Sequence, residues 1–232
     1  MNRRGAPSHE HQMKQPELFA AAAGRIGTDE SGKGDYFGPL VVAGFYLEDA
    51  QEAVLRELGV RDSKTLSDRR CLQIAETLQA GYPHSVVAVG PEKYNELYAK
   101  MRNLNKLLAW GHARVIENLL ERVPCVRAVT DQFGDAKFVL NALLKKGRAI
   151  ELVQRPRGEE DAAVAAASIL ARAEFLKKLK LLGWEWGMNL PKGAGPQVEL
   201  AAITFVRSHG PEALAKVAKM HFKTTERVLK AV

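Results

Sequence analysis

Two adjacent acids, Asp29 and Glu30, stand at the end of a β-prone run that leads straight into a glycine-rich turn, Gly32-Lys33-Gly34. Carboxylates bind cations, glycines let backbone amides approach a phosphate closely, and a lysine adds a point charge. Together these residues suit a metal ion and a phosphodiester, and so chemistry on a nucleic acid or a nucleotide. Gly27 to Gly34 also comes close to the phosphate-loop pattern G-x-x-x-x-G-K-[ST], but Gly34 stands where the magnesium-binding hydroxyl belongs. Acids inside such a loop would repel the phosphates that its amides must cradle. An ordinary turn with solvated acids is the plain alternative; Gly32, Gly34 and Gly38, so closely spaced, weigh against it.

Further acids stand at two other junctions: Asp131, closing the strand-like run from Arg127, and the cluster Glu159-Glu160-Asp161. In open α/β sheets, sites form at strand ends, where neighbouring strands bring distant residues together. Four carboxylates in one pocket would repel one another and need counter-cations. Two Mg2+ or Mn2+ ions, about 3.5–4 Å apart, would supply that charge and clamp the attacking and leaving oxygens of a phosphodiester. All-oxygen ligands favour these hard cations over thiophilic metals. Taken singly, each acid is better explained as a loop cap or a helix-start residue. The nucleotide-hydrolysing and nucleic-acid readings both stay open on these residues alone.

The elements that must position these groups are legible from periodicity. Leu40 to Leu47 is expected as a buried strand paired with the first through the glycine turn. Helices are expected at 49–58 and at 67–80, the latter entered through Ser67 as N-cap. Ser85 to Val89 reads as a short strand, and Pro91 opens a helical region to about Arg122, broken near Asn103 to Asn105. A strand at Arg127 to Asp131, a helix at Ala136 to Lys145 and a strand at Ile150 to Val153 follow. Glu160 to Leu181 reads as a long helix, small and apolar from Ala162 to Ala171, a surface suited to close packing on a sheet. Pro191 to Gly195 is a basic loop before two last helices. Strands alternating with helices predict an α/β fold, a mixed central sheet flanked by helices with a helical C-terminal part.

The 232 residues suit one domain with a tail: residues 1–23 as a flexible tail and 24–232 as the domain. Lys and Arg number 34 against 27 Asp and Glu, a net charge of +7 that favours a polyanionic partner. The two cysteines, Cys71 and Cys125, and the six scattered histidines exclude a disulfide framework and a zinc cluster. No apolar run reaches transmembrane length and no signal-peptide core opens the chain, so a cytoplasmic protein with no membrane partner is expected. We expect a monomer.

The order of motifs decides between these readings. The run from Asp29 to Pro39 resembles the first catalytic motif of type 2 ribonucleases H, and its Asp35-Tyr36-Phe37-Gly38-Pro39 ending resembles the ribonuclease HIII branch. The resemblance continues through Arg61 to Leu66, Asn103 to Asn105, Leu108 to Ala113, Thr130 to Phe133, Val164 to Arg172 and Leu190 to Gly195. It implies a ribonuclease H-like fold and endonucleolytic cleavage of the RNA strand of RNA–DNA hybrids, leaving 5′-phosphate and 3′-hydroxyl ends. By that resemblance Asp29, Glu30 and Asp131 are metal-binding catalytic carboxylates, with Glu159 as the fourth and Glu160 in reserve. Gly32, Lys33 and Gly34 are the expected readers of the 2′-hydroxyl, which distinguishes RNA from DNA. Ser63, Lys64, Asn103, Asn105 and Lys192 are candidate phosphate or sugar contacts; alternatively the lysines are solvated and the asparagines break a helix. Trp110 and His112 are expected in the core or behind the site, and Tyr36 and Phe37 packing the turn.

The family's usual N-terminal substrate-binding domain has no counterpart in the residues before Arg25. Gln15-Pro16-Glu17-Leu18-Phe19 resembles the Gln-x-x-Leu-Phe peptide that docks bacterial replication proteins on the β sliding clamp, a tether that would raise local concentration on DNA. The tyrosine that the ribonuclease HII branch uses to recognise single embedded ribonucleotides has no assignable equivalent, so activity on stretches of ribonucleotides is expected. A catalytically silent hybrid-binding protein is the alternative function.

Overall fold

The computed structural model describes residues 24–131, 134–144 and 146–232. The expected tail 1–23, with its Gln15 to Phe19 peptide, lies outside the described residues. Strand β1 (Gly24–Ser31) turns through the glycine-rich segment into β2 (Leu40–Glu48), which pairs with it antiparallel from Gly24↔Glu48 to Ser31↔Val41. β3 (His84–Val89) adds antiparallel to β2, while β4 (Arg127–Asp131) and β5 (Glu151–Arg155) run parallel to β1 on its other side. The sheet order is β3-β2-β1-β4-β5, the mixed sheet expected from the alternating elements.

The helices are α1 (Glu52–Glu57), α2 (Asp68–Gly81), α3 (Pro91–Met101), α4 (Leu104–Leu120), α5 (Ala136–Ala142), α6 (Ala162–Glu185), α7 (Pro196–His209) and α8 (Lys223–Lys230). Their boundaries follow local chemistry. Ser67 caps α2 by accepting from the Arg70 amide. The helical region after Pro91 divides because Arg102 is left-handed at φ 49° and Asn103 caps the next helix, accepting from the Lys106 amide. α6 begins later than its acidic start suggests, since Asp161 caps it through the amides of Ala163 and Val164, and it continues to Glu185. The helix after Asp135 stops at Ala142, short of Lys145.

Period-two alternation divides the sheet's side chains between two cores. Val41, Ala43, Phe45 and Leu47 of β2 face α2, α6 and the C-terminal helices, packing with Ile74, Leu78, Ile169 and Phe205. On the opposite face, Ile26, Tyr46 and Ala128 pack on Ile116 and Leu119 of α4, and Leu40 meets Tyr94, Leu107 and Leu108. The small residues of α6 allow its backbone to lie directly on β1: a Cβ on Gly27 would overlap backbone atoms of Ala163 and Val164. No helix among the described residues is long and apolar enough to cross a membrane.

Candidate active site

The acids collect where the parallel strands end. Thr28 of β1 stands opposite Thr130 of β4 in the parallel register, so the next residues, Asp29 and Asp131, emerge side by side at the C-terminal edge. Strand alternation then sends Asp29 and Glu30 to opposite faces of β1. Asp29 faces α6, where Ser168 hydrogen-bonds it, and Glu30 faces α4, where His112 waits. A cleft of about 560 Å3 joins the two, lined by Asp29, Glu30, Asp131, the turn Ser31 to Gly34, Ser63, Lys64, Ser168 and Arg172.

Burial is the largest influence on Asp29; with the neighbouring charge of Glu30 it pushes the carboxyl up to about 7, against the hydrogen bonds from Ser168 and the Glu30 amide. Glu30 moves the other way: burial opposes ionisation, but the His112 hydrogen bond and charge, with Lys33, hold it below the usual glutamate range. Its Oε1 lies 3.4 Å from Lys33 Nζ and its Oε2 lies 3.2 Å from His112 Nε2. His112 is fully buried, and its Nδ1 lies 2.8 Å from Thr28 Oγ1 and 3.5 Å from Thr130 Oγ1. An ionised carboxylate only accepts, so Nε2 donates to Glu30 and the threonine hydroxyls fix the ring from its other side.

Asp131 is held by its loop. The Gly158 amide donates to Asp131 Oδ1 at 3.0 Å, and a Cβ on Gly158 would press on the Asp131 backbone, which brings the start of the Gly158–Glu160 turn against the end of β4. The three acids after it then diverge. Glu159 is half-buried and does not line the cleft, and Glu160 is exposed and paired with Arg157 at 3.2 Å. Asp161 is buried beneath the helix it caps, where Arg25 Nε donates to it at 2.7 Å. Arg25 also binds Asp49 and Glu52, each at 2.6 Å, tying the first strand, α1 and the start of α6 together. Among the described residues no three acidic, cysteine or histidine side chains form a ready metal cage. The donor set nevertheless fits a hard divalent cation. It offers only oxygens, and a cation beside the buried Asp29 and Glu30 would offset the burial and mutual repulsion that oppose ionisation of Asp29.

Of the expected substrate contacts, Gly32, Lys33, Gly34, Ser63 and Lys64 line the cleft. Asn103, Asn105 and Lys192 do not. Asn103 serves as the cap of α4, Asn105 abuts Gly134 just beyond β4, and Lys192 Nζ donates to Asp68 Oδ2 at 2.6 Å. Three cleft residues were absent from the expected set: Ser31 of the turn, Ser168 and Arg172. Ser168 bonds Ser63 Oγ at 2.8 Å, and Arg172 bonds both the Ser63 carbonyl and, at 2.6 Å, Asp68 Oδ1. Ser168 and Arg172 fall within the Val164 to Arg172 block, but that stretch is buried nearly all round, so it carries no local sign of which polar residue reaches the cleft. A larger groove of about 920 Å3 opens beyond Lys192 between α2 and the end of α6, but it contains none of the paired acids.

The family of ribonuclease HII matches residues 26–225. The chain belongs to the ribonuclease HII family, on its HIII branch. It is an endoribonuclease of the ribonuclease H type, similar to Ribonuclease HIII of Protochlamydia amoebophila (strain UWE25), which is 47% identical over 204 residues, 88% of this chain and 68% of that protein. The fold is that of ribonuclease H. Bst-RNase HIII, solved in complex with Mn2+, matches at a TM-score of 0.84 and 32% identity, covering 98% of this chain and 76% of that one. The RNase HII of Archaeoglobus fulgidus, solved in complex with PCNA, matches at 0.72 and 28% identity, covering 88% and 96%.

Proposed function

We propose that this enzyme hydrolyses the RNA strand of RNA–DNA hybrids with two divalent ions, Mg2+ or Mn2+, held by Asp29, Glu30, Asp131 and Glu159. The observation that carries the reading is the meeting of Asp29, Glu30 and Asp131 in one cleft with the glycine-rich turn. Glu159 follows Gly158, whose amide binds Asp131, so it is the acid of its cluster next in sequence to a residue already held against the site. Glu160 is committed to Arg157 and Asp161 to Arg25, which favours Glu159 as the fourth ligand. Bound there, the ions supply acidification of the attacking water and neutralisation of the departing 3′-oxygen.

The chain's own residues do the rest. His112 and Thr28 fix the rotamer of Glu30, and Ser168 fixes Asp29. Lys33, Lys64 and Arg172 give the cleft a positive wall suited to the scissile phosphate and its neighbours. The amides of the turn at Lys33 and Gly34 meet no acceptor among the described residues and are suited to a ribose 2′-hydroxyl.

Residues 24–232 form the catalytic domain in this reading, in the cytoplasm. A sliding clamp is proposed as partner through Gln15 to Phe19, by analogy with the relative solved with PCNA. A peptide of residues 10–22 should bind a bacterial β clamp; no binding at high micromolar concentration removes this partner. The nuclease reading is tested with end-labelled RNA–DNA hybrid, duplex DNA and duplex RNA. Only the hybrid should be cut, in its RNA strand, leaving 5′-phosphate ends. Hybrid binding without cutting in either metal overturns it.

A further inference from the structure

One buried cation takes no part in the chemistry above. Lys219 lies in the C-terminal segment, fully buried, 184 positions from the turn it touches. Its Nζ donates to the carbonyls of Asp35 and Gly38, both at 2.8 Å, and more loosely to Phe37 at 3.5 Å. Its own amide donates to the Tyr36 carbonyl at 2.9 Å. Every carbonyl from Asp35 to Gly38 therefore ends on this one residue. An ammonium is well suited to the task, because it carries three donors on a point-like head and has nothing to accept.

The turn's amides are fixed from the same side of the molecule. Tyr36 N donates to Gly193 O at 2.8 Å, Gly38 N to Val217 O at 2.9 Å, and Asp35 N back to Gly32 O at 3.3 Å. Phe37 and Ala218 form an isolated β-bridge, and Tyr36 Oη meets Thr225 Oγ1 at 3.1 Å. Gly32 and Gly38 are both left-handed, at φ 86° and 80°, so the backbone between them needs external bonds to choose one shape. Lys33 and Gly34, whose amides meet no acceptor among the described residues, line the cleft immediately before this anchored stretch.

We propose that Lys219 is a positioning residue for substrate recognition: it presets the Gly32 to Gly38 turn so that its free amides meet the RNA strand without an ordering cost at binding. This rests on the reading of that turn as the RNA-contacting element. The role belongs to binding, because the Lys219 contacts begin at Asp35, beyond the acidic pair at Asp29 and Glu30.

The test compares steady-state cleavage of a hybrid by wild type, Lys219→Gln and Lys219→Met, with Leu119→Ala as a destabilised control in the opposite core. Gln keeps two donors and Met none. KM should rise in that order, by about tenfold or more for Met, while kcat stays within about threefold. The Mn2+ concentration for half-maximal rate should not move. Hydrogen exchange at residues 32–38 should quicken in both variants and not in Leu119→Ala. Unchanged KM in Lys219→Gln or Lys219→Met, with stability lost as in Leu119→Ala, overturns the proposal and leaves Lys219 a fold residue. If Lys219→Met does not fold, Lys219→Gln is decisive by itself, and an unchanged KM there also overturns it. Failure of the wild type to cut hybrid would count against the nuclease reading instead.

Discussion

At the scale of single residues, the site depends on how each acid is held. Asp29 and Glu30 are neighbours in sequence but point to opposite faces of one strand, and each finds a different helix behind it. His112 is the residue that makes this arrangement specific, since it satisfies Glu30 from a position with no solvent access. Groups that orient a metal ligand typically contribute 10–100-fold to metal affinity or activity. His112→Ala should therefore raise the Mn2+ concentration needed for half-maximal cleavage by about tenfold. A metal titration of the cleavage rate checks this, and an unmoved midpoint would assign His112 to packing alone. The three carboxylates that meet in the cleft were legible in the sequence because each closes a strand. Ser168 and Arg172 were not, because a helix that is buried nearly all round gives no sign of which polar residue reaches the cleft. Lys192, a basic residue in a glycine-rich loop, reads as a phosphate contact; it lies outside the cleft lining, paired with Asp68, a partner 124 positions away that no local pattern shows.

At the scale of elements, the site is placed by the closeness of β1 to α6. The run of small residues from Ala162 to Ala171 announced a close helix–sheet contact, and Gly27 supplies the matching absence of a side chain on the strand. Gly27→Ala would force backbone against backbone, where no side chain can give way. It should cost about 3 kcal/mol and reduce activity even in the folded fraction, because Asp29 sits two residues along. Denaturant unfolding together with specific activity measures both; wild-type stability in the variant would show that the helix can retreat. Helix ends were the least legible feature. Asp161 reads as one of three equivalent acids, yet it alone caps α6 and binds Arg25, a pairing across 136 positions that no local pattern reveals. The break after Met101 was visible as an asparagine-rich interruption, and Arg102 in the left-handed region accounts for it.

At the scale of the whole molecule, the C-terminal segment closes on the first hairpin and gives the fold a buried charge. Burial draws Lys219 down to about 7, opposed by the Asp35 carboxylate; His221 and the Tyr94 ring are its other neighbours. Below that pH both states bind the proton and the folded state bears the full cost of a buried ammonium. Between about 7 and 10.5 the unfolded chain holds the proton more tightly, so this contribution to stability rises with pH. The unfolding free energy of wild type relative to Lys219→Met should increase from pH 7 to pH 10 in denaturant titrations, and parallel curves would contradict it. The net charge of +7 and the family together point to a polyanionic substrate, but its cleavage is expected to depend on the acids. The measurement that tests it most directly is Mn2+-dependent cleavage of a labelled RNA–DNA hybrid by wild type and by Asp131→Asn, with hybrid binding followed in parallel. The wild type should cut the RNA strand, and the variant should bind the hybrid but cut it at least about a thousandfold more slowly. Cleavage by Asp131→Asn at a rate near that of the wild type would contradict it.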